Sequence, residues 1–302
     1  MLPSPILLPS FLQRRVDDLS RALMPDGFDF SQPKGEHALV PPGSVSWRVF
    51  KNPLAVFIGG VAAVILELAE PRVRTGVWEH SSFRADPVRR LLRTGLAAMV
   101  TVYGPRGASE EMIAGVVRLH ERVTGLTPAG ISYSANDPEL LTWVQATASF
   151  GFTESYHRYV RPLSGDERQR LFREASVSAQ LYGAIGAPCS DREREALFDA
   201  MRGRLEPSPI LREFLSILRA APAFPAPARG IQRLLIRAAV DLLPEALRRQ
   251  LRIEDDGLRP GEELLVLGAC ALADRIILKA SPAVQSCRRL GLPADYLYHA
   301  RS

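Results

Sequence analysis

The chain has 302 residues, 46% of them hydrophobic and 24% charged, the balance of an ordinary soluble globular protein with room for one large core or two small ones. Its net charge of +5 would suit an anionic partner, but the basic residues are spread along the chain among Asp and Glu, with no nucleic-acid motif, so nucleic-acid binding is not expected. Cys189, Cys270 and Cys287 are distant from one another and show no CxxC spacing, which excludes a disulfide framework and a cysteine zinc site and suits reduced core residues.

Residues 1–48 are expected to form an arm with a short amphipathic piece, "PSFLQRRVDDLSRALM", ahead of a helical domain over 49–302. In "MLPSPILLPSFLQRR" the charges follow the apolar part, the wrong order for a signal peptide, so the expected location is cytoplasmic. "PLAVFIGGVAAVIL", Pro53 to Leu66, is uncharged but too short to span a membrane, and reads as a buried helix ending at Pro71. Gly59 and Gly60 in its middle lower helix propensity and predict the close approach of another backbone or a flat ligand.

After a connection, "VRTGVWEHSSFRAD", comes a helix with Asp86 as cap, Pro87 in the first turn and Gly104 as stop. The next helix is predicted to open at Ser109 and close at Gly125, and another begins at Asn136 or Asp137 with Pro138. A helix follows "LSGDERQRLFREA", the Pro-rich "APAFPAPARG" at 221–230 reads as a subdomain seam, and further helices lie around 231–250 and 261–280. No segment has the alternation of a half-buried strand. The predicted fold is all-α.

Three groups of residues could carry chemistry. His120 shares an apolar helix face with Ile113, Val116, Val117 and Val123, where an imidazole must find a hydrogen-bond partner or a metal. A lone histidine suits an axial haem ligand better than zinc, which needs three or four protein ligands. Within "RRLLRTG", Arg90, Arg93 and Thr94 fall on one face beside Leu91, Leu92, Leu96 and Met99, so they could hold an anionic group or lie solvated. Glu79, next to His80, is a carboxylate that could act as a general base if desolvated.

The succession "FIGGVAAVILELAEPRVRTGVWEHSSFRADPVRRLLRT", "VVRLHERVTG", "YSANDPELLTWVQAT" and "YHRYVRPLSGDERQRLFREA" resembles the MpaB-like oxygenase family, which shares its catalytic domain with the rubber oxygenases. The resemblance implies a globin-like helical core, haem b, and oxidation of an apolar, isoprenoid-type small molecule by dioxygen. It also implies that His120 is the iron ligand, that Arg90, Arg93 and Thr94 form the distal motif, that Glu79 is the catalytic glutamate, and that the Gly59–Gly60 helix packs on the porphyrin. Arg93 stands where the rubber enzymes carry lysine, and Glu70 and Gln145 stand where relatives carry histidines. The alternative is a non-catalytic helical binder of an apolar ligand. Neither reading fixes an oligomeric state.

Overall fold

The computed structural model describes residues 28–224 and 228–299, together with residues 5, 6, 9, 11, 13, 14 and 17. Most of the N-terminal amphipathic piece and the centre of the Pro-rich stretch therefore lie outside the described residues. The fold is all-α, with thirteen α-helices and one small hairpin among the described residues.

At its centre lie two long helices. Helix α1 (Val45–Phe50) leads into α2 (Pro53–Ala69), which starts on Asn52, whose side chain accepts from the Ala55 amide at 3.1 Å, with proline in the first turn. It stops because Glu70, ahead of Pro71, is driven out of the helical region to an extended conformation. The connection after it is a helix, α3 (Pro71–His80), bent by 109° from α2. No single helix among the described residues is long and apolar enough to cross a membrane.

Helix α4 (Pro87–Tyr103) has the predicted cap, Asp86, accepting from the Arg89 amide at 3.1 Å, and stops at Gly104. Helix α5 (Arg106–His120) begins a turn earlier than expected. Ser109 is not its cap: the buried hydroxyl donates to the carbonyls of Val100 and Pro105, tying α5 to the end of α4. The helix also ends earlier, at His120, because Thr124–Leu126 (β1) turns back to pair antiparallel with Ser132–Ser134 (β2). Gly125 belongs to this hairpin, where a Cβ would lie 2.7 Å from the Tyr133 hydroxyl.

Helix α6 (Pro138–Tyr159), capped by Asp137, runs along the full length of α2. The remaining helices are α7 (Gly165–Tyr182), α8 (Asp191–Met201), α9 (Pro209–Ala220), α10 (Arg229–Leu242), α11 (Glu245–Leu251), α12 (Glu262–Arg275) and α13 (Pro282–Arg289). One apolar cluster joins α2, α6, α9 and α10, so it continues across the 221–230 stretch. There Gln232 donates to the carbonyls of Leu218 and Ala221. A second cluster gathers Trp47, Val100 and Tyr103 with Phe30, Val40, Val284 and Tyr298 from the two flanks. Cys270 and Cys287 are buried as expected; Cys189 is exposed, a correction to its reading as a core residue.

Candidate functional site

Four helices converge on one ionisable cluster. Glu67 comes from the last turn of α2, Arg90 from α4, His120 from the end of α5 and Thr147 from α6. Glu67 occupies an otherwise apolar helix, between buried Leu66 and Leu68, and its hydrogen bond from Thr147 is long, at 3.5 Å. The same hydroxyl reaches the Val144 carbonyl at 2.8 Å, where its one proton is better placed. Burial pushes the Glu67 carboxyl up to about 7, against the opposing pull of the Arg90 guanidinium and the Thr147 hydroxyl.

Arg90 is pressed below its ordinary pKa by burial and by neighbouring Arg93, while Glu67 supports its charge. Its guanidinium is hydrogen-bonded to the Thr94 hydroxyl, which in turn donates to the Arg90 carbonyl. Arg93 and Thr94 themselves are exposed, so of the predicted trio only Arg90 faces inward to any depth.

The His120 carbonyl accepts from the Val123 amide at 3.0 Å, but its ring Nδ1 is buried without a hydrogen-bond partner among the described residues. Beside it the Asn136 amide donates to the Val117 carbonyl at 3.0 Å, leaving its own buried Oδ1 unpartnered. Burial, above all, holds the imidazole below its ordinary pKa; nearby Asn136 pulls the other way, and Arg90 depresses it further. At neutral pH the ring is uncharged, the form that binds a metal. A short movement would let Nδ1–H donate to Asn136 Oδ1, fixing the tautomer that leaves the Nε2 lone pair free. Arg90 acts electrostatically on both Glu67 and His120, so the three share one local field.

The helices that carry Arg90 and His120 also leave apolar side chains only half-buried, among them Leu91, Leu92, Leu96, Val116 and Val117, with Leu119 56% exposed. A lone neutral imidazole, a flanking cation and uncovered apolar walls fit a haem, which brings four nitrogens of its own. No group of three or more His, Cys, Asp or Glu among the described residues could hold a bare metal ion.

Other predicted residues lie elsewhere. Glu79 is exposed; it and His80 both meet the Tyr133 hydroxyl, which donates to Glu79 at 3.3 Å and lies 3.2 Å from His80 Nε2. Gly59 meets the close backbone that was one of its two expected neighbours: it packs on α6, where a Cβ would come within 2.6 Å of the Gly151 carbonyl oxygen. Gly60 faces the same helix more loosely, where a Cβ would lie 3.9 Å from the Phe152 ring. The carboxylate of Glu70 is occupied in capping α3, accepting from the Val73 amide at 2.8 Å, and in pairing with Arg72. Gln145 is half-buried on α6. Sequence reasoning missed Glu67 and Asn136. The signal for Glu67 was a single acid inside an apolar run.

A family model described as the catalytic domain of ER-bound oxygenase mpaB/B′ and rubber oxygenase matches residues 47–275. Uncharacterized proteins of Mycobacterium bovis and Mycobacterium tuberculosis are each 24% identical over 225 residues, covering 72% of this chain and 88% of theirs. No solved structure matches the chain.

Proposed function

Because the chain belongs to the mpaB/B′ and rubber oxygenase catalytic-domain family, we propose that it is a haem b-dependent oxygenase acting on an apolar, isoprenoid-type small molecule with dioxygen. The observation that carries the cofactor assignment is the His120 imidazole, its Nδ1 buried without a partner among the described residues and its neutral form favoured by burial and by Arg90. His120 would ligate the iron through Nε2, with Asn136 orienting the ring from behind. Bound haem would supply the dioxygen and redox chemistry; the chain's residues set its surroundings.

Arg90, steadied by Thr94, places a positive charge near Glu67 and His120, suited to a propionate or to negative charge developing on oxygen. Arg93, permanently charged and exposed, adds to that field from outside. The half-buried leucines and valines of α4 and α5 would exclude water and receive the apolar substrate. Where a proton must be held or released, Glu67 is better placed than Glu79: it is enclosed, it faces Arg90, and its carboxyl titrates near neutrality.

The test is an absorption spectrum of protein produced with haem supply, recorded before and after dithionite and carbon monoxide. A Soret band in the wild type that is lost in a folded H120A variant is expected. Full haem in H120A would overturn the ligand assignment. Folded wild type with no Soret band would overturn the haem reading and leave a helical binder of an apolar ligand.

A further inference from the structure

A polar cleft lies in the segments that flank the matched domain. Its volume is about 340 Å³, and Asp17, Ser31, Lys34, Lys279, Gln285 and Arg288 line it with Ala280. Every one of these residues falls outside 47–275, so the cleft is not part of what the family model describes.

Its charge is unbalanced. The chain has only three lysines among 38 basic residues. Lys51 is buried against Asp274, and the other two, Lys34 and Lys279, both line this cleft. Neither these lysines nor Arg288 forms an ion pair within the described residues, whereas Arg84, Arg106, Arg202 and Arg249, equally on the surface, each hold a carboxylate. The single acid of the lining, Asp17, is held in place, its Oδ1 accepting from the Lys279 amide at 2.9 Å and from Gln13 at 3.1 Å. Asp29, outside the lining, interacts electrostatically with Lys34, so three cations of the lining face one carboxylate within it and one beside it. Three cations gathered around one hollow repel one another unless an anion lies between them.

The walls are held in place. Arg289, 1% exposed, donates to the carbonyls of Phe30, Glu36 and Tyr103, and its own carbonyl accepts from the Gly35 amide at 2.8 Å. The loop carrying Ser31 and Lys34 is thereby locked to α13, which presents Gln285 and Arg288 one turn apart on the same face. Gln285 is braced by its bond to the Ala280 carbonyl at 2.7 Å. Of two adjacent arginines, one locks the loop and the other is free to meet a ligand.

We propose that this cleft binds a phosphate group, borne by a small soluble molecule or by a lipid headgroup, with Lys34, Lys279 and Arg288 as its cationic contacts. Lysine ammoniums act as point charges on phosphate oxygens, while the planar guanidinium can take two oxygens at once. The volume admits more than a bare phosphate, within the range of small-molecule sites.

The test uses the full chain at low ionic strength, titrated calorimetrically with pyrophosphate. Saturable binding at one site is expected, at least tenfold weaker in R288Q and lost in the triple variant K34Q/K279Q/R288Q. These positions are exposed, so the variants should keep the wild-type melting temperature. Co-sedimentation with phosphatidic acid and with phosphatidylserine vesicles separates the two sources. Capture by phosphatidic acid alone, abolished in the triple variant, assigns a lipid phosphomonoester; pyrophosphate binding without capture assigns a soluble ligand. No pyrophosphate binding and no selective capture by the wild type would overturn the proposal, as would affinity unchanged in the triple variant. Because the site is remote in sequence from His120, its test is independent of whether haem binds.

Discussion

Burial pushes Glu67 and His120 in the same direction, towards their uncharged forms, through opposite changes in pKa. For Glu67 this has a consequence for stability. Burial raises its carboxyl to about 7 in the folded chain against 4.5 for an unperturbed glutamate, so the folded state holds the proton more tightly. The contribution is fully present below pH 4.5 and is lost as pH rises through 7, a change on the order of 3 kcal/mol. Urea denaturation of haem-free protein between pH 4.5 and 8 should show this decline in the wild type and a flatter profile in E67Q; parallel profiles would refute it. Asn136 is expected to act on His120 without titrating. Nitrogen NMR of the haem-free protein should report the Nδ1–H tautomer in the wild type and a mixture in N136L, and an identical tautomer in both would remove Asn136 from its positioning role. His120 and Arg90 were legible in the sequence because each stands out on a periodic helix face. Glu67 was not, because its enclosure depends on α6, eighty residues away at Thr147.

The helices themselves were legible where local chemistry decides. Asp86 and Asp137 cap as their positions before proline imply, and Gly104 ends α4. Where tertiary contact decides, the elements depart from expectation. The hairpin of three-residue strands has too little alternation to register, and the start of α5 answers to the Ser109 hydroxyl bonded back into α4. The paired glycines of α2 show the same division. Alanine at Gly59 would drive its Cβ into the backbone of Gly151 and Phe152, atoms that move only if the helix moves. G59A should therefore destabilise by about 1–3 kcal/mol. A Cβ at Gly60 would meet nothing closer than 3.9 Å, so G60A should stabilise by up to about 1 kcal/mol through helix propensity alone. Chemical denaturation of both variants decides the matter: equal shifts would mean that α2 and α6 do not approach through Gly59.

At the scale of the whole molecule, α4 is the member shared by the two cores. Its first half carries Arg90 towards the site, while Val100 and Tyr103 near its end pack in the second cluster with residues of both flanks. The carbonyl of Tyr103 accepts from Ser286 at 2.8 Å and from Arg289 at 2.6 Å, and its hydroxyl donates to the Trp47 carbonyl. The flanks thus anchor the helix that positions Arg90, a dependence invisible in sequence because it rests on bonds from Arg289 to carbonyls far away in the chain. Replacing Arg289 by methionine keeps its bulk but strands the carbonyls of Phe30 and Glu36 and leaves that of Tyr103 with the Ser286 bond alone, so R289M should cost on the order of 2–5 kcal/mol. The adjacent R288Q, at an exposed position, should stay within about 0.5 kcal/mol of wild type. Hydrogen exchange then distinguishes a clamp from general weakening. In R289M the amides of α4 and of the 28–40 loop should lose protection first, while those of α2 and α6 stay protected by their own contact. Loss of protection in α2 at the same free energy as in α4 would show that the two cores open as one unit, and that the flanks hold the entire fold rather than the distal helix.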